Sequence, residues 1–260
     1  MITEFEKLIK IVKTLRSENG CPWDREQNLY SIKNLFMEEA FELIDALDKK
    51  DIPNVREELG DVLFHMVFHA EMAESEGYFT LDDAIREVSE KLVRRHPHVF
   101  GTENVENSAE VIVNWDKIKL EEKQHKQKDS ILDDIPNAYP SVLKAFKIQE
   151  KARKSGFDWK NADDCMEKVR EEYMEFQDAV DEGSQKEIEH ELGDMFFALI
   201  NISRFLKVNP DEALRKANDR FSSRFRYIEK TLKEQGKTCK ESTLEEMDAL
   251  WDEAKIKEKD

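Results

Sequence analysis

Two short acidic runs carry the chemistry this sequence suggests. Glu39 and Glu42 stand three residues apart in a Glu38-Glu39-x-x-Glu42 run, and after fifteen intervening residues come Glu58 and Asp61. The pattern returns as Glu171, Glu172 and Glu175, then fifteen residues, then Glu191 and Asp194. A spacing of three puts each pair on one face of a helix. The short connection around Asp51-Ile52-Pro53 makes the two helices antiparallel neighbours, so four carboxylates converge on one space. On a helical wheel, Glu39 lies beside an apolar stripe of Phe36, Ala40, Leu43 and Leu47. Glu172 lies beside Val169, Tyr173, Phe176 and Val180. Acids at a core boundary repel each other strongly unless a cation sits among them. An all-oxygen set with no nearby cysteine or paired histidine suits Mg2+, or Mn2+ in its place, over zinc. A di-iron bundle wants Glu-x-x-His, but the last position here is Asp61 or Asp194. His65 lies four after Asp61, yet its counterpart is Ala198, so it reads as a packed helix histidine. Hard ions held by carboxylates commonly work on phosphates.

The elements that position these acids repeat. A shift of 133 lays the first acidic run on the second and Glu58-Leu59-Gly60-Asp61 on Glu191-Leu192-Gly193-Asp194, without a gap. A shift of 129 lays Lys91 and Arg95 on Arg220 and Arg224. Apolar residues recur at helical spacing throughout. The expected fold is therefore all-α: two tandem helical-bundle modules, residues 1–125 and 126–260. Phe5 to Leu15 mark a first helix, broken at Asn19-Gly20-Cys21-Pro22. Phe36 to Leu47 mark a second and Pro53 to Ala70 a third. Thr80 caps a fourth, which runs to Arg95 before Pro97. A charged helix passes through Trp115 and Ile118, and its polar tail, Lys119 to Lys128, reads as the linker. In the second half, helices are expected near 140–154, 162–182, 185–206, 210–235 and 243–257.

Composition bounds the function. Of 260 residues, 38% are charged and glycine and proline are scarce, as in helix-rich proteins. A net charge of -17 argues against a general nucleic-acid or anionic-membrane binder. Three distant cysteines form neither a disulfide framework nor a zinc pattern, and Cys21 reads as inert. With no apolar signal core and no run of membrane-spanning length, a cytoplasmic location is expected.

Further blocks sharpen the reading: Gly20-Cys21-Pro22-Trp23-Asp24 with Gln27, then Arg94-Arg95-His96-Pro97-His98-Val99-Phe100-Gly101, then Gly156-Phe157-Asp158-Trp159 and a late Trp251. With the acidic quartets, the whole chain resembles the two-module MazG family of all-α NTP pyrophosphatases. That resemblance implies Mg2+-dependent hydrolysis of (deoxy)nucleoside triphosphates to monophosphate and pyrophosphate, removing aberrant or regulatory nucleotides. It implies metal ligation by Glu172, Glu175, Glu191 and Asp194, and by Glu39, Glu42, Glu58 and Asp61. An acidic base near the ion can take the proton of a water held by the ion or by Glu171, so Glu171, and Glu38 in the first copy, are the expected catalytic residues. Lys168, Glu171, Glu187, His190, Arg220, Arg224 and Trp251 would meet the nucleotide, with Lys91 and Arg95 in the first copy. Arg220 stands where the family more often has lysine, so a point contact becomes a fork. The first copy has Leu35 in place of Lys168 and no clear counterpart of Trp251, which favours the second as the main catalyst. Apolar helix edges imply a homodimer.

Overall fold

Residues 3–124 and 130–258 are described by a computed structural model. They form twelve α-helices and two short 3-10 turns, with no strand among them, as the helical periodicity predicts. The chain divides into two compact units, Met1–Lys126 and Gln127–Asp260. No described helix is long and apolar enough to cross a membrane.

The first unit holds α1 (Glu4–Leu15), α2 (Pro22–Glu26), α3 (Lys33–Lys49), α4 (Ile52–Ser75), α5 (Leu81–Arg95), α6 (Pro97–Phe100) and α7 (Ser108–Gln124). Helix α1 begins in a capping box, in which Glu6 N–H donates to Thr3 Oγ1 at 3.2 Å and Thr3 N–H to Glu6 Oε2 at 2.6 Å. Its exit turns sharply. A Cβ at Gly20 would lie 2.1 Å from the Leu15 carbonyl oxygen, so only glycine fits there. The Arg16 guanidinium then ties the following loop by donating to the carbonyls of Asp24 and Gln27. Helix α3 ends in left-handed Lys50, and Asp51 at once caps α4, accepting from Asn54 N–H at 3.3 Å. This tight reversal lays α3 along α4. Val12, Ile32, Val67, Phe68 and Met72 form the core beneath them, flanked by Leu8, Leu35 and Phe64.

The second unit holds α8 (Ser141–Lys154), α9 (Ala162–Glu182), α10 (Gln185–Phe205), α11 (Pro210–Glu234) and α12 (Leu244–Lys257). The reversal recurs with different residues. Gly183 adopts the left-handed conformation, φ 73°, and Ser184 caps α10 at Glu187 N–H. Helix α9 packs on α10 as α3 does on α4. Ile228, Leu232 and Leu250 form a cluster between α11 and α12, against which Trp251 packs.

Two expectations need correction. Residues 119–124 are not linker. They continue α7, because Glu122 near its end is held by both Arg94 and Arg95. Residues 125–129, the rest of the expected linker, lie outside the described residues. The core stripe of the acidic helices is also displaced. Leu47, Tyr173 and Val180 are exposed, while Ala46, Cys165, Glu172 and Ala179 are buried. The inward line of α9 thus runs through the acid itself; beside it Tyr173 and Val180 face outward, while Val169 and Phe176 are half-buried.

Phe68 is 1% exposed at the centre of the first unit's core. Phe68→Ala is expected to destabilise that unit by about 3–5 kcal/mol through lost burial and a residual cavity. Urea denaturation followed by circular dichroism checks this, and a loss below about 1 kcal/mol would place Phe68 outside the core.

Candidate active site

Each helix hairpin brings three of its four predicted acids together. In the first unit, oxygens of Glu39, Glu58 and Asp61 lie within 4.8 Å of one another. In the second unit, Glu172, Glu175 and Glu191 do the same. Glu191 also joins Glu187 and His190 in a third group. Glu42 and Asp194 stand outside the two carboxylate triads. Glu42 still acts on Glu39 and Glu58 through its charge. Asp194 instead faces the His190 ring, Oδ2 to Nδ1 at 3.5 Å.

These clusters are electrostatically loaded. Burial first, then the neighbouring acids, pushes the Glu39 and Glu58 carboxyls above the ordinary range. Glu175 is pushed up by burial and by Glu172, Glu171 and Glu191, against the opposing pull of Lys168. Glu172 is 6% exposed and Glu58 9%, yet neither is isolated from the others. Carboxylates crowded at a core boundary and held short of comfortable ionisation form a hard-oxygen site that fits a divalent cation.

The two units balance their acids differently. In the second, Lys168 Nζ lies 2.7 Å from Glu172 Oε1 and 2.8 Å from Glu171 Oε1, and both contacts raise its pKa. In the first, the same position is Leu35, which packs on the core. Its place opposite the equivalent acid is taken from the next helix. Buried His65 sets Nε2 3.9 Å from Glu39 Oε1. Burial pushes the His65 pKa down, so at neutral pH it is neutral and offers Glu39 no full charge. His65 is therefore a packed helix histidine, as its spacing suggests, and also a neighbour of the acids. His190 differs again. Its hydrogen bond to Glu191, at 3.1 Å, raises its pKa.

The remaining nucleotide candidates sit on later helices. In the second unit, the Arg224 guanidinium lies 5.3 Å above the Trp251 ring centre, and its Nε donates to Glu258 Oε2 at 3.0 Å. Arg220 is exposed one turn earlier and contributes charge at Glu258. In the first unit, Lys91 is half-buried one turn before Arg95 on α5. Here the sequence reading missed a residue. Trp115 is the counterpart of Trp251: Arg95 lies 5.3 Å above its ring centre, and Arg95 Nε donates to Glu122 Oε2 at 3.1 Å. A signal was present. A shift of 136 lays Trp115-Asp116 on Trp251-Asp252 and Glu122 on Glu258, a register different from those that align the acids and the arginines. The two units thus differ in the cation beside the acids and not in the tryptophan.

Comparison with known proteins accords with this geometry. The model of the MazG nucleotide pyrophosphohydrolase domain matches residues 27–100 and 160–228, which span the acids of both units. The chain belongs to the MazG family. It is 43% identical, over 96% of its length and 95% of the relative's, to a Thermotoga maritima protein named nucleoside triphosphate pyrophosphohydrolase/pyrophosphatase MazG. It is 41% identical over the full length of both chains to the Escherichia coli K12 nucleoside triphosphate pyrophosphohydrolase. It is also 47% identical, over 98% of its length and 52% of the relative's, to the uncharacterised YabN of Bacillus subtilis. The MazG match begins beyond the Gly20 turn and stops before Trp115 and Trp251.

The raised Glu39 and Glu58 pKa values fix a sign. In the folded state these groups hold protons more tightly than in the unfolded chain, so their ionisation above the raised values opposes folding. The strain is relieved as pH falls through those values, or when a cation binds. Glu58→Gln is expected to raise the melting temperature of metal-free protein at neutral pH and to shrink the rise that MgCl2 produces. Differential scanning calorimetry with and without MgCl2 reads both effects. A variant that melts lower without metal yet keeps the full Mg2+ response would contradict the assignment.

Proposed function

We propose that the protein hydrolyses nucleoside triphosphates, ribo or deoxy, to the monophosphate and pyrophosphate by attack of water at the α-phosphorus. One observation carries this reading. A chain of the MazG family, similar end to end to two proteins named for that activity, keeps a crowded carboxylate triad in both units. Mg2+, with Mn2+ as substitute, is the proposed ion, held by Glu172, Glu175, Glu191 and Asp194 and by Glu39, Glu42, Glu58 and Asp61. When bound, it would offset the charge that builds on the phosphate oxygens during attack.

The chain's own residues supply the rest. Glu171 is proposed to orient the attacking water and take its proton, with Glu38 as its equivalent in the first unit. Lys168, paired with both Glu171 and Glu172, sets a positive charge beside those carboxylates. Arg220 and Arg224, with Lys91 and Arg95 in the first unit, are proposed to meet the phosphates, Glu187 and His190 to line the nucleotide site, and Trp251 to meet the base. A chain of charge -17 needs such local cations to receive an anion. The charged Lys168 against the neutral His65 supports the second unit as the main catalyst. The exposed apolar residues of the paired helices, among them Phe41, Leu59 and Leu63 in the first unit and Tyr173, Val180 and Phe196 in the second, support a homodimer that covers them. The proposed physiological role is removal of aberrant or regulatory nucleotides.

Incubation with Mg2+ and a panel of NTPs and dNTPs, with products resolved by anion exchange, is expected to yield monophosphate and pyrophosphate. Diphosphate with inorganic phosphate would overturn the reading. In the same assay Glu172→Ala is expected to abolish most turnover, by about a hundredfold or more if it holds the ion, and Glu39→Ala distinctly less. Equal losses would refute the assignment of the second unit as main catalyst.

A further inference from the structure

An arginine, a tryptophan and a glutamate meet in the same way in both units. In each, the guanidinium carbon lies 5.3 Å from the indole centre. In each, Nε and Nη2 converge on a single oxygen, Oε2 of the glutamate: Arg95 on Glu122, and Arg224 on Glu258 at 3.0 and 2.7 Å. In each, a second ring abuts the indole, His96 at 4.9 Å from Trp115 and Phe221 at 5.1 Å from Trp251. Tryptophan and glutamate stand seven apart along one helix or its C-cap in both units, but the backbone that carries the arginine is not the same. Arg95 is the last residue of α5, and α6 and a loop lead on to Trp115. Arg224 lies in the middle of α11, which continues for ten residues more. Similar geometry despite a different backbone at the arginine points to a shared demand on the side chains.

A solvent-exposed ion pair contributes little to stability by itself. These pairs are not freely exposed: the Arg95 side chain is 14% exposed and that of Arg224 19%. The carboxylates stay ionised. The two arginines beside Glu122 hold its pKa down at about 2, and Arg224 lowers that of Glu258. With one face on an indole and the Nε/Nη2 edge filled, a guanidinium keeps one orientation. Its Nη1 edge then carries no hydrogen bond among the described residues. A rigid, pre-aimed donor edge is what a phosphate oxygen needs, because little entropy is left to lose on binding.

We propose that Glu258 and Glu122 are positioning residues, which brace Arg224 and Arg95 against Trp251 and Trp115 and present their Nη1 edges to the phosphates of the nucleotide. This rests on the proposed function above, in which those arginines meet the substrate. The first unit therefore carries a complete second copy of the phosphate-facing trio, although it lacks Lys168.

The test uses full-length protein, Mg2+ and the nucleoside triphosphate turned over fastest in the product assay. Glu258→Ala, Glu258→Gln, Arg224→Ala and the Glu258→Ala/Arg224→Ala double variant are compared for KM and kcat, with circular dichroism as the folding control. Glu258→Ala is expected to raise KM about tenfold with kcat changed by less than about twofold. Glu258→Gln, which keeps an acceptor oxygen, is expected to recover part of the loss and carries the test if the alanine variant does not fold. The double variant is expected to be no worse than Arg224→Ala, since the glutamate acts only through the arginine. A Glu258→Ala protein with unchanged KM, where Arg224→Ala raises it, would overturn the positioning role and leave the arginine contact standing. A lowered KM would instead make Glu258 a competitor of the substrate. Unchanged KM in Arg224→Ala would overturn the substrate contact itself, and this inference with it.

Discussion

Mutual repulsion among carboxylates at the edge of a core is the constraint on which both units are built. Acids free in solution would separate. Here they cannot, because each pair rides on a helix and the two helices are locked by a reversal of one left-handed residue followed by a capping side chain. Lys50-Asp51 and Gly183-Ser184 share no residue type, yet they make the same turn. The demand falls on the backbone conformation and on an oxygen that can cap. The packing of α3 on α4, and of α9 on α10, then holds Glu58 and Glu172 in surroundings that disfavour isolated charge.

The two units meet that repulsion differently. The second uses Lys168, one helical turn from Glu172 on the same helix, and so keeps a permanent positive charge within reach of two acids. The first exchanges that lysine for Leu35, which joins the core, and sets His65 on the neighbouring helix where the second unit has buried Ala198. The paired exchange conserves a polar nitrogen near the acid and loses its charge at neutral pH. A unit so altered retains its carboxylate triad and gives up an electrostatic partner for the acid beside it.

Farther from the acids the two units converge again. Both arginines lie on an indole with the same edge filled by a carboxylate, although one ends its helix and the other lies within a longer one. The contact of Arg95 with Glu122 also explains why α7 extends to Gln124, since a polar helix end gains order from a charged partner outside it. Local composition alone, rich in lysine and glutamate, reads as solvated chain.

The helices, the duplication and the candidate acids are legible in the residues alone. Helical periodicity, caps and breakers are local, and an in-register repeat of Glu-x-x-Glu and Glu-x-x-Asp survives without coordinates. Tertiary structure decided which side of each helix faced inward. The apolar stripe through Tyr173 and Val180 matches a core face in pattern, but packing buried Cys165, Glu172 and Ala179 instead. Only the fold disclosed that His65 faces Glu39, a contact between helices that a search for cations along one helix does not reach. Trp115 was hidden for a related reason. Chain lengths between arginine and tryptophan differ in the two units, so no single register aligns the acids, the arginines and the tryptophans. The spacing of tryptophan and glutamate repeats, but their meeting with the arginine does not follow from it, because contacts between side chains on separate helices depend on how those helices pack.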